Sequence, residues 1–360
     1  MLFGINESTT EMVAVEEMYV PAHLAESFEG IAALGNNQAE KLYEEVINAQ
    51  GEFSAKLQRG VSTGKLQEAC AEIIQEGALA NFISKAKELF KKLWAALKAL
   101  FNKFMAWLDS KMKSDKDFIA KYKQILSKKA TEVSDMTYKG HNWGEFDPAR
   151  ESGNLENAVN EAGENGEKGA NAAAGDAKEG EAQTGDAKDG EKKDAEAGKK
   201  PNKPAADGSD REARIDQAMK DVAKLVGVTE TTESADIVSE YREKLYGGSV
   251  EAEELTGPNV SSLISIVESY SKDKTAAEKL FKAAEREYNK TIRGYEKTEK
   301  AAAKSSTDTL DMSTSTLIAV SKAEFALVNQ LNGVYLAALK ARRDESKSIL
   351  AKVITYKKSK

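Results

Sequence analysis

The sequence predicts an all-α protein in which two helical domains are joined by a disordered linker. Alanine, glutamate and lysine dominate a chain that is 31% charged and only 7% aromatic, which is typical of elongated helices. Apolar residues recur at helical spacing in residues 1–150 and 211–360. Residues 151–210 contain only Leu155 and Val159 as large apolar residues. A length of 360 residues allows about two domains.

Glycines divide the first eighty residues into short predicted helices. A break at 35–37 (Gly-Asn-Asn) ends the first helix, and the second ends before Gly51. A further break at 60–64 precedes a third predicted helix over 66–74.

The most informative stretch is a basic amphipathic helix predicted over 82–108. Its apolar face includes Phe90, Trp94, Leu97, Phe101, Phe104 and Trp107, and its basic face includes Lys85, Lys91, Lys92, Lys98 and Lys103. The apolar face must be buried, and three interpretations stay open: packing against helices of this or another chain, a lipid interface, or contact of the lysines with nucleic acid. Ser114, followed by Asp115 and Asp117, predicts the N-cap of the next helix.

Charge is strongly segregated although the net charge is only −7. Residues 1–52 hold ten glutamates and one lysine, whereas residues 53–130 hold sixteen Lys or Arg and seven Asp or Glu. These opposite blocks predict that the N-terminal segment lies against the basic helices. The alternative is that each block is a solvated helix face.

The predicted linker at 151–210 contains a near-repeat, GDAKEGEAQT and then GDAKDGEKKD, beginning at Gly175 and Gly185. We expect this acidic Ala/Gly/Glu/Lys segment to be disordered, because it lacks the apolar surface that offsets the entropy of ordering. Beyond it, two long helices at about 274–303 and 314–356 predict an antiparallel hairpin, 274–356, of the kind used in coiled coils or assemblies.

The residues do not predict an enzyme. A single cysteine, Cys70, excludes an internal disulfide, and the two histidines lack ligand-spaced partners, so no metal or other cofactor and no small-molecule substrate are expected. The segment 139–148 holds His141, Trp143 and Phe146, which predict either a cap on the ends of the N-terminal helices or a docking loop for a partner. No signal peptide and no membrane span are expected.

Two stretches carry a resemblance. The run FKKLWAALKALFNKFMAWLDSKMKSDKDFIAKYKQIL at 90–126, the acidic linker and the terminal LNGVYLAALKARRDESKSILAKVITYKK at 331–358 resemble virion structural proteins of large tailed bacteriophages. The resemblance implies a helical, non-enzymatic protein of the phage head or of the head interior, located in the virion or the host cytoplasm.

We therefore expect a structural or interaction protein, most simply a head or internal head component. Its expected partners are other virion proteins or copies of itself, bound through the long helices. Alternatives are a membrane-interacting protein that acts through 82–108 and an assembly scaffold. Contact with nucleic acid is expected only weakly, since arginine is absent from the 85–129 run and no base-reading motif occurs.

Overall fold

The computed structural model describes most of the chain. The described residues are 28–62, 78–127, 136–141, 143, 146–179, 208–246, 249–254, 257–302 and 312–359. The predicted third helix at 66–74 lies outside them, as do Cys70, His23 and the linker residues 180–207.

The described residues form eight helices and two short strands, which confirms the all-α class. In chain order they are α1 (Phe28–Ser62), α2 (Ala78–Leu126), β1 (Thr137–His141), α3 (Pro148–Glu179), α4 (Gly208–Val226), α5 (Ser234–Tyr246), β2 (Ser249–Glu254), α6 (Gly257–Glu268), α7 (Tyr270–Ala302) and α8 (Met312–Ser359). The strands pair antiparallel, with a register shift between Tyr138 and Gly140. They were not predicted. Among the described helices, none is both long and apolar enough to cross a bilayer.

Four long helices form the central bundle, with α2 diagonal to α3 and α7 diagonal to α8. The Tyr288 hydroxyl donates to Asn329 Oδ1 at 2.9 Å, and Arg343 Nη2 contacts Asp273 Oδ2 at 3.1 Å. These pairs confirm that α7 and α8 run antiparallel, as the hairpin prediction requires. The two helices meet through side chains across the bundle, because α2 and α3 occupy the adjacent positions.

One hydrophobic core unites the two halves of the chain that were predicted as separate domains. It joins buried residues of α1, α2 and α3 with those of α4, α5, α7 and α8. Helix α1 lies across α2 and α8, and α4, α5 and α6 pack on α8. A smaller apolar cluster closes the end where α2 and α8 finish, and it includes Ile119, Leu126, Val260, Leu350 and Val353.

The start of the predicted linker is wrong, because 151–179 belongs to α3. Asp147 caps this helix by accepting a hydrogen bond at 2.9 Å from the Ala149 amide, and Pro148 fits the first turn. Leu155 and Val159 are both fully buried.

Small residues explain how so polar a segment packs as a helix. A Cβ added at Gly163 would lie 2.6 Å from the Glu287 side chain, and one at Gly166 would lie 2.5 Å from Thr291 Oγ1. Glycine therefore lets α3 approach α7 closely. A count of large apolar side chains does not predict this helix, because close packing of α7 on glycine needs few of them.

The predicted break at 35–37 is also wrong, because these residues lie inside α1. A Cβ at Gly35 would lie 2.0 Å from Ala96 Cβ, so glycine marks a contact between α1 and α2 instead of a turn. The Asn36 amide nitrogen donates to the Ala326 carbonyl at 2.8 Å. Gly51 does not end the helix either, which continues to Ser62.

Ser114 is not an N-cap, because α2 runs through it without interruption to Leu126. The Lys347 ammonium donates to Ser114 Oγ at 3.0 Å and to Asp115 Oδ1 at 2.7 Å. Polar residues at this point therefore serve contacts with α8, and the cap-like pattern is coincidental.

Candidate functional site

The apolar face predicted for interaction is buried within the bundle. Phe90, Leu97, Phe101 and Phe104 are buried, and Trp94 and Trp107 are half-buried. Phe90 stacks on Tyr295 with ring centroids 5.3 Å apart, and Trp94 stacks on Phe281 at 5.4 Å. In this conformation the partner of the face is the rest of the same chain.

The basic face is only partly available to solvent. Lys85 pairs with Glu45 of α1 at 2.6 Å, and Lys91 pairs with Glu88 of its own helix at 3.0 Å. Lys103 is half-buried, whereas Lys92 and Lys98 are exposed. The predicted docking of the acidic block is thus observed for Glu45, and residues 1–27 of that block lie outside the described chain.

The segment with His141, Trp143 and Phe146 faces inward, around one carboxylate of α8. Glu345 accepts a hydrogen bond from the His141 backbone amide at 2.7 Å and one from Trp143 Nε1 at 3.2 Å, and its Oε2 lies 2.8 Å from His141 Nδ1. Trp143 and Phe146 are 8% and 4% exposed. Trp143 packs on Tyr246 at the end of α5, and Phe146 packs on Tyr335 within α8. Both predicted roles, a cap on the ends of the N-terminal helices and a docking loop, stay predictions.

A buried arginine lies where α2, α6, α7 and α8 meet. Arg343 contacts Asp115 at 3.4 Å and Asp273 at 3.1 Å, and it donates to the Val267 carbonyl at 2.7 Å. Burial raises the pKa of Asp273, while the Arg343 charge opposes that rise. Sequence reasoning missed this cluster, and the only signal was acidic residues inside an otherwise continuous helix.

A second buried ionisable residue, Glu324, lies in the centre of the bundle. The Asn165 amide nitrogen donates to its two carboxyl oxygens at 2.8 and 3.0 Å. Burial raises the pKa of Glu324 to about 8, and the nearby Glu161 and Asp221 carboxylates add to the rise. Near neutral pH the protonated carboxyl is therefore the favoured form, which suits a structural residue in an apolar core.

Two shallow grooves flank α6, with volumes of about 290 and 320 Å³. The first contains serine hydroxyls, but Ser265 donates to the Ser261 carbonyl at 3.0 Å and Ser269 donates to the Ile266 carbonyl at 2.8 Å. These hydroxyls bond to their own helix, a geometry that does not activate them as nucleophiles. Within the described residues, no group of three or more His, Cys, Asp or Glu side chains could hold a metal ion.

A row of lysines and aromatic rings lies toward the end of the molecule where the parallel helices α2 and α8 finish. Lysines of α8 cover aromatic rings of α2 at three levels. Lys340 lies 5.7 Å from the Trp107 ring centroid, Lys347 lies 5.4 Å from that of Phe118, and Lys358 lies 4.8 Å from that of Tyr122. We call these six residues, together with the exposed Lys111 and Lys121 beside them, the lysine–aromatic seam.

Helix α1 lies next to the seam at its Trp107 end. Over the first part of α2 and α8, α1 lies in the furrow between them, as the contacts of Asn36 with Ala326 and of Gly35 with Ala96 place it. At this end of α1 the Phe28 ring meets that of Phe104 at 5.8 Å. Beyond that level Lys111, Lys121 and Lys358 are exposed.

Comparison of the chain with protein-family models, curated proteins and solved structures finds no match.

Proposed function

We propose that this chain is a non-enzymatic structural or interaction protein, and that it serves in the head of a large tailed bacteriophage. The phage assignment rests on the resemblance of residues 90–126 and 331–358 to virion proteins. The structural role rests on the pairing of buried charged groups within the fold.

One observation carries the structural role: the buried charged groups are bound by partners within the fold. Arg343 is paired with two aspartates, and Glu151 is fully buried and contacts Lys244 at 3.0 Å. Catalytic groups instead face a cleft that admits substrate. Buried ion pairs between helices fix which residues of those helices lie opposite each other. This supports the role of a rigid building block.

The membrane alternative requires α2 to leave the bundle, since Leu97 is 1% exposed and Phe90 is fully buried. A substitution such as Leu97→Glu does not test it, because a buried charge would unfold the bundle whether or not lipid is a ligand. The scaffold alternative predicts a protein that is present during assembly and lost from mature particles.

The decisive experiment is quantitative mass spectrometry of purified particles and of assembly intermediates from cells infected by the phage that encodes the chain. We expect a fixed copy number in mature particles. Presence only in intermediates would favour the scaffold, and absence from both would reject the virion assignment. Flotation of the full-length protein with liposomes tests the membrane alternative separately.

A further inference from the structure

We propose that the lysine–aromatic seam binds the phosphate backbone of double-stranded DNA without reading its sequence. The inference deepens the proposed function by naming the partner of the interaction protein, and it rests on that function only for the non-enzymatic role. It needs no assumption about where in a particle the protein resides.

Charge is the first argument. The two stretches that hold the seam, 107–122 and 340–358, contain nine lysines against Asp109, Asp115, Asp117, Asp344 and Glu345. The chain as a whole has a net charge of −7, so positive charge is concentrated here. A polyanion is the partner that such a surface favours, because each neutralised phosphate releases counterions.

The type of cation is the second argument. The exposed cations of the seam are lysines. Of the two arginines in this stretch of α8, Arg343 is 1% exposed and pairs with Asp115 and Asp273, and the half-buried Arg342 lies 5.5 Å from the Phe146 ring centroid. Lysine acts as a point charge on phosphate, whereas base-edge recognition commonly uses the arginine fork. The seam therefore suits contact with the backbone and lacks the groups that read a sequence.

The rings supply the third argument, which favours a duplex over a single strand. Trp107, Phe118 and Tyr122 are half-buried, and each has a lysine ammonium over its ring. Rings covered in this way do not offer the open platform on which unpaired bases stack. They hold the lysines in a row instead, since a cation over a ring face is attracted to it.

Length and pairing are consistent with several phosphate contacts. Lys340 and Lys358 are roughly 27 Å apart along α8 at about 1.5 Å per residue, a span of about eight base pairs. Lys340 pairs with Asp344 at 2.7 Å and Lys347 with Asp115 at 2.7 Å. Of the seam lysines, Lys111, Lys121 and Lys358 have no carboxylate partner among the described residues, so these three are available to phosphate.

A lipid surface fits less well. An interfacial helix inserts an exposed apolar face, but the apolar residues at this end, such as Ile119, Leu126 and Val353, are buried in the smaller cluster. Anionic lipid would be attracted by charge alone, so vesicles belong in the test as a competing partner.

The test is fluorescence anisotropy of a labelled 25-base-pair duplex of mixed sequence, titrated with the full-length protein from 50 to 200 mM salt. The seam variant Lys111→Glu/Lys121→Glu/Lys358→Glu is compared with a control of equal charge, Lys92→Glu/Lys98→Glu/Lys282→Glu, whose lysines are exposed and outside the seam. Thermal unfolding confirms that both variants fold. Vesicles with anionic and with neutral headgroups are titrated in parallel.

We expect the wild-type protein and the control to bind the duplex, with affinity falling steeply as salt rises. The seam variant should bind at least tenfold more weakly, with a log–log salt slope less negative by about 2–3, since three phosphate contacts are lost. The proposal is overturned if the wild-type protein does not bind at 50 mM salt, if both variants lose affinity equally, or if only anionic vesicles bind. Each outcome is independent of the particle experiment, so the two proposals can fail separately.

Discussion

The two parts of helix α2 form contrasting regions of the molecule. Residues 82–108 bury an almost wholly apolar face, in which Phe90 and Leu97 meet neighbouring helices without any charged group between them. Residues 109–126 bury a carboxylate, Asp115, at the same interface and expose lysines outside it. One continuous helix thus uses two kinds of packing.

The difference teaches that helical periodicity identifies which side of a helix packs inward, but not whether that side stabilises the fold through apolar area or through ion pairs. An apolar face gains from removal of area from water, roughly in proportion to that area. A buried aspartate is tolerated only because Arg343 and Lys347 meet it. The first region stabilises the bundle, while the second fixes which residues of α2, α7 and α8 meet.

The largest expected effect is at the charged region. Arg343→Met should lower the free energy of unfolding by about 3–5 kcal/mol, because Asp273 would stay buried without its cation and Asp115 would keep only Lys347. Urea denaturation measures the change, with the exposed Lys352→Met as the control. An Arg343→Met protein as stable as the control would show that the cluster does not hold the end of the bundle together.

Glu324 tests the effect of a buried charge in the apolar region. Its carboxyl group is bound by the Asn165 amide and forms no ion pair within the described residues. Its folded pKa of about 8 exceeds the unfolded value of 4.5, so the folded state holds the proton more tightly and stability falls as the pH rises between these values. Glu324→Gln should remove that loss. We expect the variant to exceed the wild type by about 2–4 kcal/mol at pH 9 and by much less at pH 4.5.

Urea denaturation at the two pH values measures this difference between Glu324→Gln and the wild-type protein. The exposed Glu285→Gln serves as the control and should show no such pH-dependent gain. Equal stability of Glu324→Gln and wild type at pH 9 would contradict the raised pKa.

Close helix contacts in the apolar region are tested by a pair of glycines. Gly35→Ala should destabilise by about 1–3 kcal/mol, since the new Cβ would lie 2.0 Å from Ala96 Cβ. In α3, Gly153 has nothing within 4 Å of the added Cβ, so Gly153→Ala should stabilise by about 0.5–1 kcal/mol through helix propensity. Thermal unfolding compares them, and a Gly35→Ala protein as stable as the Gly153→Ala protein would refute the close approach of α1 to α2.

The smallest expected effect concerns the pair of Lys85 and Glu45, which are 30% and 53% exposed. A double-mutant cycle with Lys85→Ala and Glu45→Ala should give a coupling free energy of about 0.2–1 kcal/mol that shrinks in high salt. A larger, salt-independent coupling would mean that opposite charge, more than apolar contact, holds α1 on α2.

Local pattern was sufficient to predict the helices whose apolar spacing is regular. The all-α class and the long helices α7 and α8 follow from periodicity, and the antiparallel direction of α7 and α8 follows from the short polar connection between them. These properties depend on neighbours along the chain, which the sequence displays directly.

Tertiary contacts decided the remaining features. Gly35 and the glycines of 163–169 lie inside helices. They serve close contacts, because α2 and α7 approach their backbones. The Arg343 cluster joins residues more than two hundred positions apart, from Asp115 to Arg343, and only the fold brings them together. The sequence by itself determined which segments are helical and where charge accumulates. Only the tertiary structure decided that the apolar face of α2 is internal and that the seam is exposed, because burial depends on which helix lies opposite.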